Sequence, residues 1–236
     1  MIGYSSLSYE RFKQDEREFI TVLGPQNSGT NLVCNLFFLQ DRAENNQEQN
    51  RLDDEFTRRN RVWKHEHHIN KLEKLLNDPN RKIICVYRDV YTWLNSMKKE
   101  SYETQWDGNL TSPVYNGEYS SIIELYKNLY NNYMILKSRS PRNVIFCRYY
   151  DLIDPKYGYD YYKSLTEQLG TNYITKQHYL EILSKPAKSH GGSVSNSLES
   201  ISKKEDDIFS ERERDYITYL LNLNNCNFLQ YHELLC

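Results

Sequence analysis

Between Phe19 and Asn31 a short, mostly apolar run breaks off into glycine, proline and small polar residues. Phe19 to Leu23 has the length and branched content of a buried parallel strand, and Leu32 to Leu39 returns apolar residues at helical spacing. The turn Gly24-Pro25-Gln26-Asn27-Ser28-Gly29-Thr30 therefore joins a strand to a helix. Gly24 and Gly29 reach backbone angles closed to other residues, and N–H groups at the positive end of a helix bind anionic oxygens without a charged side chain. In the nucleotide-triphosphate loop G-x-x-x-x-G-K-[ST] both glycines are met, but Thr30 stands where the lysine belongs and Asn31 follows it. The expected ligand is one 5′-phosphate-like group, held by hydroxyls and backbone. The plain alternative is a strand-turn-helix that binds nothing.

A chain of 236 residues suits one domain with a sizeable core, spanning 1–236 with residues 1–18 as an N-terminal arm. The net charge of −2 disfavours a broad basic surface, so no nucleic-acid partner is expected. Cys34, Cys85, Cys147, Cys226 and Cys236 are dispersed without a C-x-x-C pair and read as thiols in a reducing compartment. No apolar stretch reaches the ~18 residues that span a bilayer, and Met1 to Ser6 lacks the plan of a secretion signal. A soluble, cytoplasmic protein without a membrane partner is expected. Asn109-Leu-Thr111 has the form of a glycosylation site, which carries no weight without such a signal.

Further along, Asp41 to Arg61 is polar and reads as an exposed helix or excursion. Val62 to His68 crowds Lys64, His65, Glu66, His67 and His68 into a short stretch. Its His-x-Glu-His-His order matches neither H-E-x-x-H nor a Cys/His zinc spacing, so no metal is expected. General acid–base work and a solvated histidine run are the other readings. Residues 71–78 look helical. Lys82 to Asp89 is a second buried strand ending on Arg88-Asp89, and ligands of open α/β sheets bind at the carboxyl ends of strands. Val90 to Met97 then has a helical pattern carrying Ser96, and an arginine fork beside a hydroxyl makes a second phosphate site. Lys99 to Ser120 is a long aromatic excursion, Ser121 to Ser138 an amphipathic helix, and Asn143 to Asp151 a third strand with a polar end. Tyr159 to Leu169 is a helix stopped by Gly170, and Ser210 to Asn222 is the last helix. Residues 184–207 lose apolar periodicity and hold Lys185, Lys188 and Gly191, a basic stretch that reads as a loop closing over an anion or as a linker.

Together these stretches resemble the sulfotransferases that use 3′-phosphoadenosine 5′-phosphosulfate (PAPS). Gly24-Pro-Gln-Asn-Ser-Gly-Thr30 is similar to the family's 5′-phosphosulfate loop, and Arg88-Asp89-Val90 with Ser96 eight residues after the arginine to its 3′-phosphate motif. Arg148-Tyr149-Tyr150-Asp151-Leu152 is similar to the R-Y-E-D-L segment of many members. The resemblance covers about residues 19 to 170, and three ordered motifs are more specific than any one. Two departures are visible: Asn27 stands where many cytosolic members have lysine, and residues 184–207 contain no clear Arg-Lys-Gly.

What the resemblance implies is a single-domain, P-loop-like, three-layer α/β fold with a central parallel sheet flanked by helices. The implied activity is transfer of a sulfuryl group from PAPS to a hydroxyl or amine of a glycan or small-molecule acceptor, leaving 3′-phosphoadenosine 5′-phosphate (PAP), with no metal required. Gln26, Asn27, Ser28, Gly29, Thr30 and Asn31 would serve the 5′ side, Arg88 and Ser96 the 3′-phosphate, and Tyr149 the nucleotide. Lys185, Lys188 and Gly191 would lie in a covering loop. The family register puts its lysine on Lys64, 24 residues before Arg88, and its base on Glu66, with His65 second and His67 a further choice. An extended segment would turn Lys64 and Glu66 to the same side, opposite His65 and His67. A small-molecule or nucleotide kinase is the alternative enzyme, though it would need the missing lysine. A catalytically degenerate nucleotide-binding protein is the alternative outside catalysis.

Overall fold

Ile83, Ile84, Cys85 and Val86 follow one another without a polar break, so a strand built from them needs cover on both faces. A computed structural model, which describes residues 19–38, 58, 61–184, 188–189, 192–193 and 209–222, shows that cover. Strand β1 is Ile20–Leu23, β2 is Lys82–Tyr87 and β3 is Val144–Arg148. They form a parallel sheet in the order β1-β2-β3, with Thr21 opposite Ile83 and Ile84 opposite Ile145.

Eight helices lie among the described residues. They are α1 (Thr30–Phe38), α2 (Ile69–Leu72, continued by a 3₁₀ turn over Glu73–Asn77), α3 (Val90–Lys99), α4 (Ile122–Arg139), α5 (Tyr149–Ile153), α6 (Gly158–Leu169), α7 (Lys176–Ser184) and α8 (Glu211–Asn222). The pleat of β2 divides the core. Ile83, Cys85 and Tyr87 pack with Trp93 of α3, Leu129 and Tyr133 of α4, and Ile217 of α8. Ile84 and Val86 pack on the opposite face with Val33 of α1, Leu152 of α5, Tyr162 of α6 and Tyr179 of α7. Helices thus cover both faces, in line with the expected mixed α/β class.

Local chemistry sets the ends of the elements that frame the loop. Asp89 caps α3 by accepting from the Thr92 N–H at 3.0 Å. Ser121 caps α4 through the Glu124 N–H at 3.1 Å, while the Glu124 carboxylate reaches back to the Ser120 N–H at 2.6 Å, a close relative of the capping box. Gly170, at φ 69°, ends α6 in the left-handed conformation.

Several expectations need correction. Residues 63–66 form a turn rather than an extended run. The Glu66 N–H donates to the Trp63 carbonyl at 3.0 Å and closes a turn, so the alternation that paired Lys64 with Glu66 does not hold. Helix α5 starts directly where β3 ends, and α7 fills part of 171–183, neither of which the residue pattern announced. In the excursion at 99–120, Trp106 and Tyr119 are buried, so these aromatic rings hold the loop down. In the basic stretch, Lys188–Ser189 pairs antiparallel with Gly192–Ser193, while Lys185 and Gly191 lie outside the described residues, as does the run 41–57.

Candidate functional site

The loop at 24–30 leaves the carboxyl end of β1 and is held from three sides. The Gly24 N–H donates to the Lys64 carbonyl at 2.9 Å. Trp93 Nε1 donates to the Gln26 carbonyl at 2.7 Å, and Arg88 Nη1 to the Asn27 carbonyl at 2.8 Å. A Cβ on Gly24 would come within 2.6 Å of Ser28 Oγ, and one on Gly29 (φ +92°) would run into the Tyr149 ring. Both glycines are required by shape, and Gly29 by backbone angle as well.

The loop's own polar groups are partly occupied. Buried Ser28 donates its hydroxyl proton to the Pro25 carbonyl at 2.7 Å. Asn27, at φ 59°, donates its amide to the Ser96 and Glu100 carbonyls at 3.3 and 2.8 Å. The Ser96 carbonyl also accepts the Glu100 N–H at 3.1 Å, and Glu100 lies just past the last turn of α3, so Asn27 ties down the C-terminal end of that helix from outside. Gly29, Thr30 and Asn31 meanwhile begin α1, whose first N–H groups have no acceptor within the helix. That end of α1 attracts an anion.

Arg88 stands at the carboxyl end of β2 and is only 9 % exposed. Besides Asn27 it reaches Thr92 Oγ1 at 3.3 Å and the Tyr150 hydroxyl at 3.4 Å. Its guanidinium carbon lies 5.4 Å from the Tyr149 ring centroid and 5.8 Å from that of Tyr150. Aromatic faces and neutral oxygens thus aim the fork from β2 and α3. Asp89 turns to Thr92 and caps α3. Ser96 lies two turns along α3, its carbonyl under Asn27.

The turn at 63–66 brings two of the three proposed catalytic side chains to the loop. Lys64 Nζ donates to Asn31 Oδ1 at 2.7 Å, at the start of α1. His65 Nδ1 lies 2.7 Å from the Gly24 carbonyl, which requires a proton on Nδ1 and leaves the lone pair on Nε2. Burial first, then the charge of Lys64, push the His65 pKa down to about 3, against the pull of the Gly24 and Pro25 carbonyls. At neutral pH the ring is uncharged.

Glu66 goes elsewhere. Its Oε1 accepts from the His67 and His68 N–H groups at 3.2 and 3.0 Å and contacts His68 Nδ1 at 2.6 Å, while Oε2 pairs with Lys71 at 3.1 Å. Burial works against this carboxylate, but His68 and Lys71 outweigh it and hold the pKa below the usual glutamate value. His67 stacks on Tyr115 at 4.6 Å and contacts the Tyr119 hydroxyl at 2.6 Å. Burial, then the charge of His68, lower its pKa.

The loop, Arg88, Ser96, Tyr149, Lys64 and His65 therefore converge on one edge of the sheet, and the contacts of Glu66 and His67 run to another part of the molecule. Trp93, Thr92 and Tyr150 help to build the site but escaped the sequence reading, since Trp93 looks like any core aromatic of α3 and Tyr150 was only one letter of a five-residue motif. No helix among the described residues is long and apolar enough to cross a membrane. Comparison with protein-family models, with curated proteins and with solved structures returned no match.

Proposed function

We propose that this chain is a sulfotransferase that moves a sulfuryl group from PAPS to a hydroxyl or amine of a glycan or small-molecule acceptor. The observation that carries the reading is the 2.8 Å bond from Arg88 to the Asn27 carbonyl, because it joins the two phosphate motifs at the carboxyl edge of one parallel sheet. A nucleotide with phosphates at both ends needs two anion sites within one cleft. The start of α1 offers converging N–H groups for the 5′ side and Arg88 offers a fork for the 3′-phosphate, with Ser96 given its hydroxyl role by the motif alone.

Transfer is a displacement at sulfur. The acceptor oxygen or nitrogen forms a bond to sulfur, the bridging S–O bond breaks, the electron pair stays on the PAP phosphate, and the acceptor's proton passes to a base. Lys64, hydrogen-bonded to Asn31 at the start of α1, is the cation for the leaving phosphate oxygen. The base role goes to His65 rather than Glu66. His65 has a bare Nε2 fixed by the Gly24 carbonyl, whereas Glu66 is held by His68 and Lys71. A bound anion beside His65 offsets the charge of Lys64 and raises the ring's basicity in the complex.

Titration with PAP, followed by a labelled-sulfate transfer screen, tests the reading. Stoichiometric PAP binding with transfer to at least one acceptor class supports it. Binding without transfer to any acceptor points to a nucleotide-binding protein that has lost catalysis, and absence of PAP binding removes the proposal.

A further inference from the structure

The side chains of Glu66, His67 and His68 contact Lys71, Tyr115, Tyr119 and Glu118, none of which the proposed sulfuryl transfer uses. One possible ligand atom from each of Glu66, His67 and His68 lies within 4.8 Å of the others, and Glu66 and His67 are each 7 % exposed. Glu118 stands behind the rings as an outer carboxylate that orients them, its Oε1 lying 3.1 Å from His68 Nε2 and 3.5 Å from His67 Nδ1. We propose that Glu66, His67 and His68, with Glu118 at the rim, form a binding site for a divalent transition-metal ion, zinc fitting best, that fastens the turn at 63–68 to the turn at 115–119.

The donor set comes first. Two imidazoles and a carboxylate are borderline ligands that suit zinc, whereas calcium and magnesium prefer all-oxygen surroundings. Hydrogen bonding around His67 provides the second argument. The Tyr119 hydroxyl accepts from Asn128 Nδ2 at 3.1 Å and lies 2.6 Å from His67 Nδ1. With that nitrogen engaged by a polar partner, Nε2 is the ring atom left for an ion, and a partner of this kind orients a metal-binding imidazole. Rigidity is the third argument. The His67 carbonyl accepts from Asn128 at 3.0 Å and Asn132 at 2.8 Å of α4, and two backbone N–H groups orient the Glu66 carboxylate.

Binding requires modest adjustment. Donors around a tetrahedral zinc lie about 3.3 Å apart, from bonds of about 2.0 Å, so the 2.6 Å contact between His68 Nδ1 and Glu66 Oε1 has to open slightly. Lys71, half-exposed and 3.1 Å from Glu66 Oε2, has to withdraw into solvent. Zinc-motif spacings assume ligands one helical turn apart or in Cys/His pairs, which is why three consecutive residues in a non-helical stretch escaped them.

The test uses the full chain freed of metal by chelator and then titrated with Zn²⁺ or Co²⁺. One equivalent should bind, the Co²⁺ form should show the strong visible bands of a four-coordinate ion, and zinc should raise the melting temperature. Glu66→Gln and His68→Ala should each weaken binding at least about a hundredfold, and Tyr119→Phe about 10–100-fold. Lys71→Gln, at an exposed position that does not threaten folding, should tighten binding severalfold by removing a competing charge. Failure of the wild-type chain to bind one equivalent overturns the proposal. So does binding that all four variants leave unchanged, since other cysteines or histidines of the chain would then hold the ion. PAP titration in the presence and absence of zinc keeps this outcome separate from the transferase reading.

Discussion

The side-chain amide of Asn27 donates to the carbonyl oxygen of Glu100 at 2.8 Å, across 73 positions of sequence. Asn27 is thus a fastener between the loop at 24–30 and the end of α3. Two consequences follow: the loop's shape depends on α3, and under the proposed sulfuryl transfer the cation for the leaving group has to come from another segment, for which Lys64 stands at Asn31.

Asn27→Ala should destabilise the protein by about 2–3 kcal/mol, combining roughly 1–2 kcal/mol for a left-handed non-glycine residue with about 1 kcal/mol for the lost bonds. Asn27→Gly loses the bonds but relieves the backbone, so it should cost less. Chemical denaturation of both variants checks the order, and equal losses would mean that the positive φ is not retained in solution.

Arg88→Ala should weaken PAP binding about 10–100-fold, from a charge-assisted contact of about 1.5–3 kcal/mol. Arg88→Lys should recover little, because a point charge cannot keep both the Asn27 carbonyl and the two tyrosine faces while also gripping a phosphate. Adenosine 5′-phosphosulfate, which lacks the 3′-phosphate, should be nearly indifferent to either change. Calorimetric titration of the two ligands against the three proteins reads this out, and equal sensitivity would relocate Arg88 to the 5′ side.

For the chemistry, His65→Ala should lower turnover about 10²–10⁴-fold with PAP affinity nearly intact. Glu66→Gln should retain most activity, because its carboxylate is occupied by His68 and Lys71. Lys64→Ala should lower kcat more than it raises KM for PAPS. Single-turnover assays distinguish these outcomes, and an active His65→Ala with an inactive Glu66→Gln would restore the base to Glu66.

The acid limb of stability carries the mark of His65. Its folded-state pKa, about 3, lies below the ordinary histidine value near 6.5, so the unfolded chain binds the proton more readily. That contribution is complete above pH 6.5 and is lost as the pH falls toward 3, with a limiting slope of about 1.4 kcal/mol per pH unit for one proton. His67 is shifted in the same direction and adds to the slope, and Glu66 adds below the usual carboxylate range. Urea denaturation in chelator between pH 7 and 4 should show a shallower decline for His65→Gln than for wild type, and parallel curves would mean that folding does not depress the His65 pKa.

The residue pattern by itself located the starts of the three parallel strands to within one residue, overran the ends of the second and third by two and three, and placed most helices to within two, because apolar runs and their periodicity are repeated signals that do not depend on distant partners. It also marked Gly29 as needing a backbone angle closed to other residues, which its φ of +92° bears out, and put Arg88 at the carboxyl edge of the sheet, whereas Gly24 is required by crowding and not by angle. Tertiary structure decided what the polar groups do. Asn27 is bound to carbonyls 69 and 73 residues away, His65 to one 41 residues away, and His67 to a tyrosine 52 residues away. Whether 62–68 runs extended or turns at Trp63 likewise could not be seen in so few residues, since a periodic pattern needs several repeats. A hydrogen bond's meaning lies in both of its ends, and the second end is supplied only when the chain has folded.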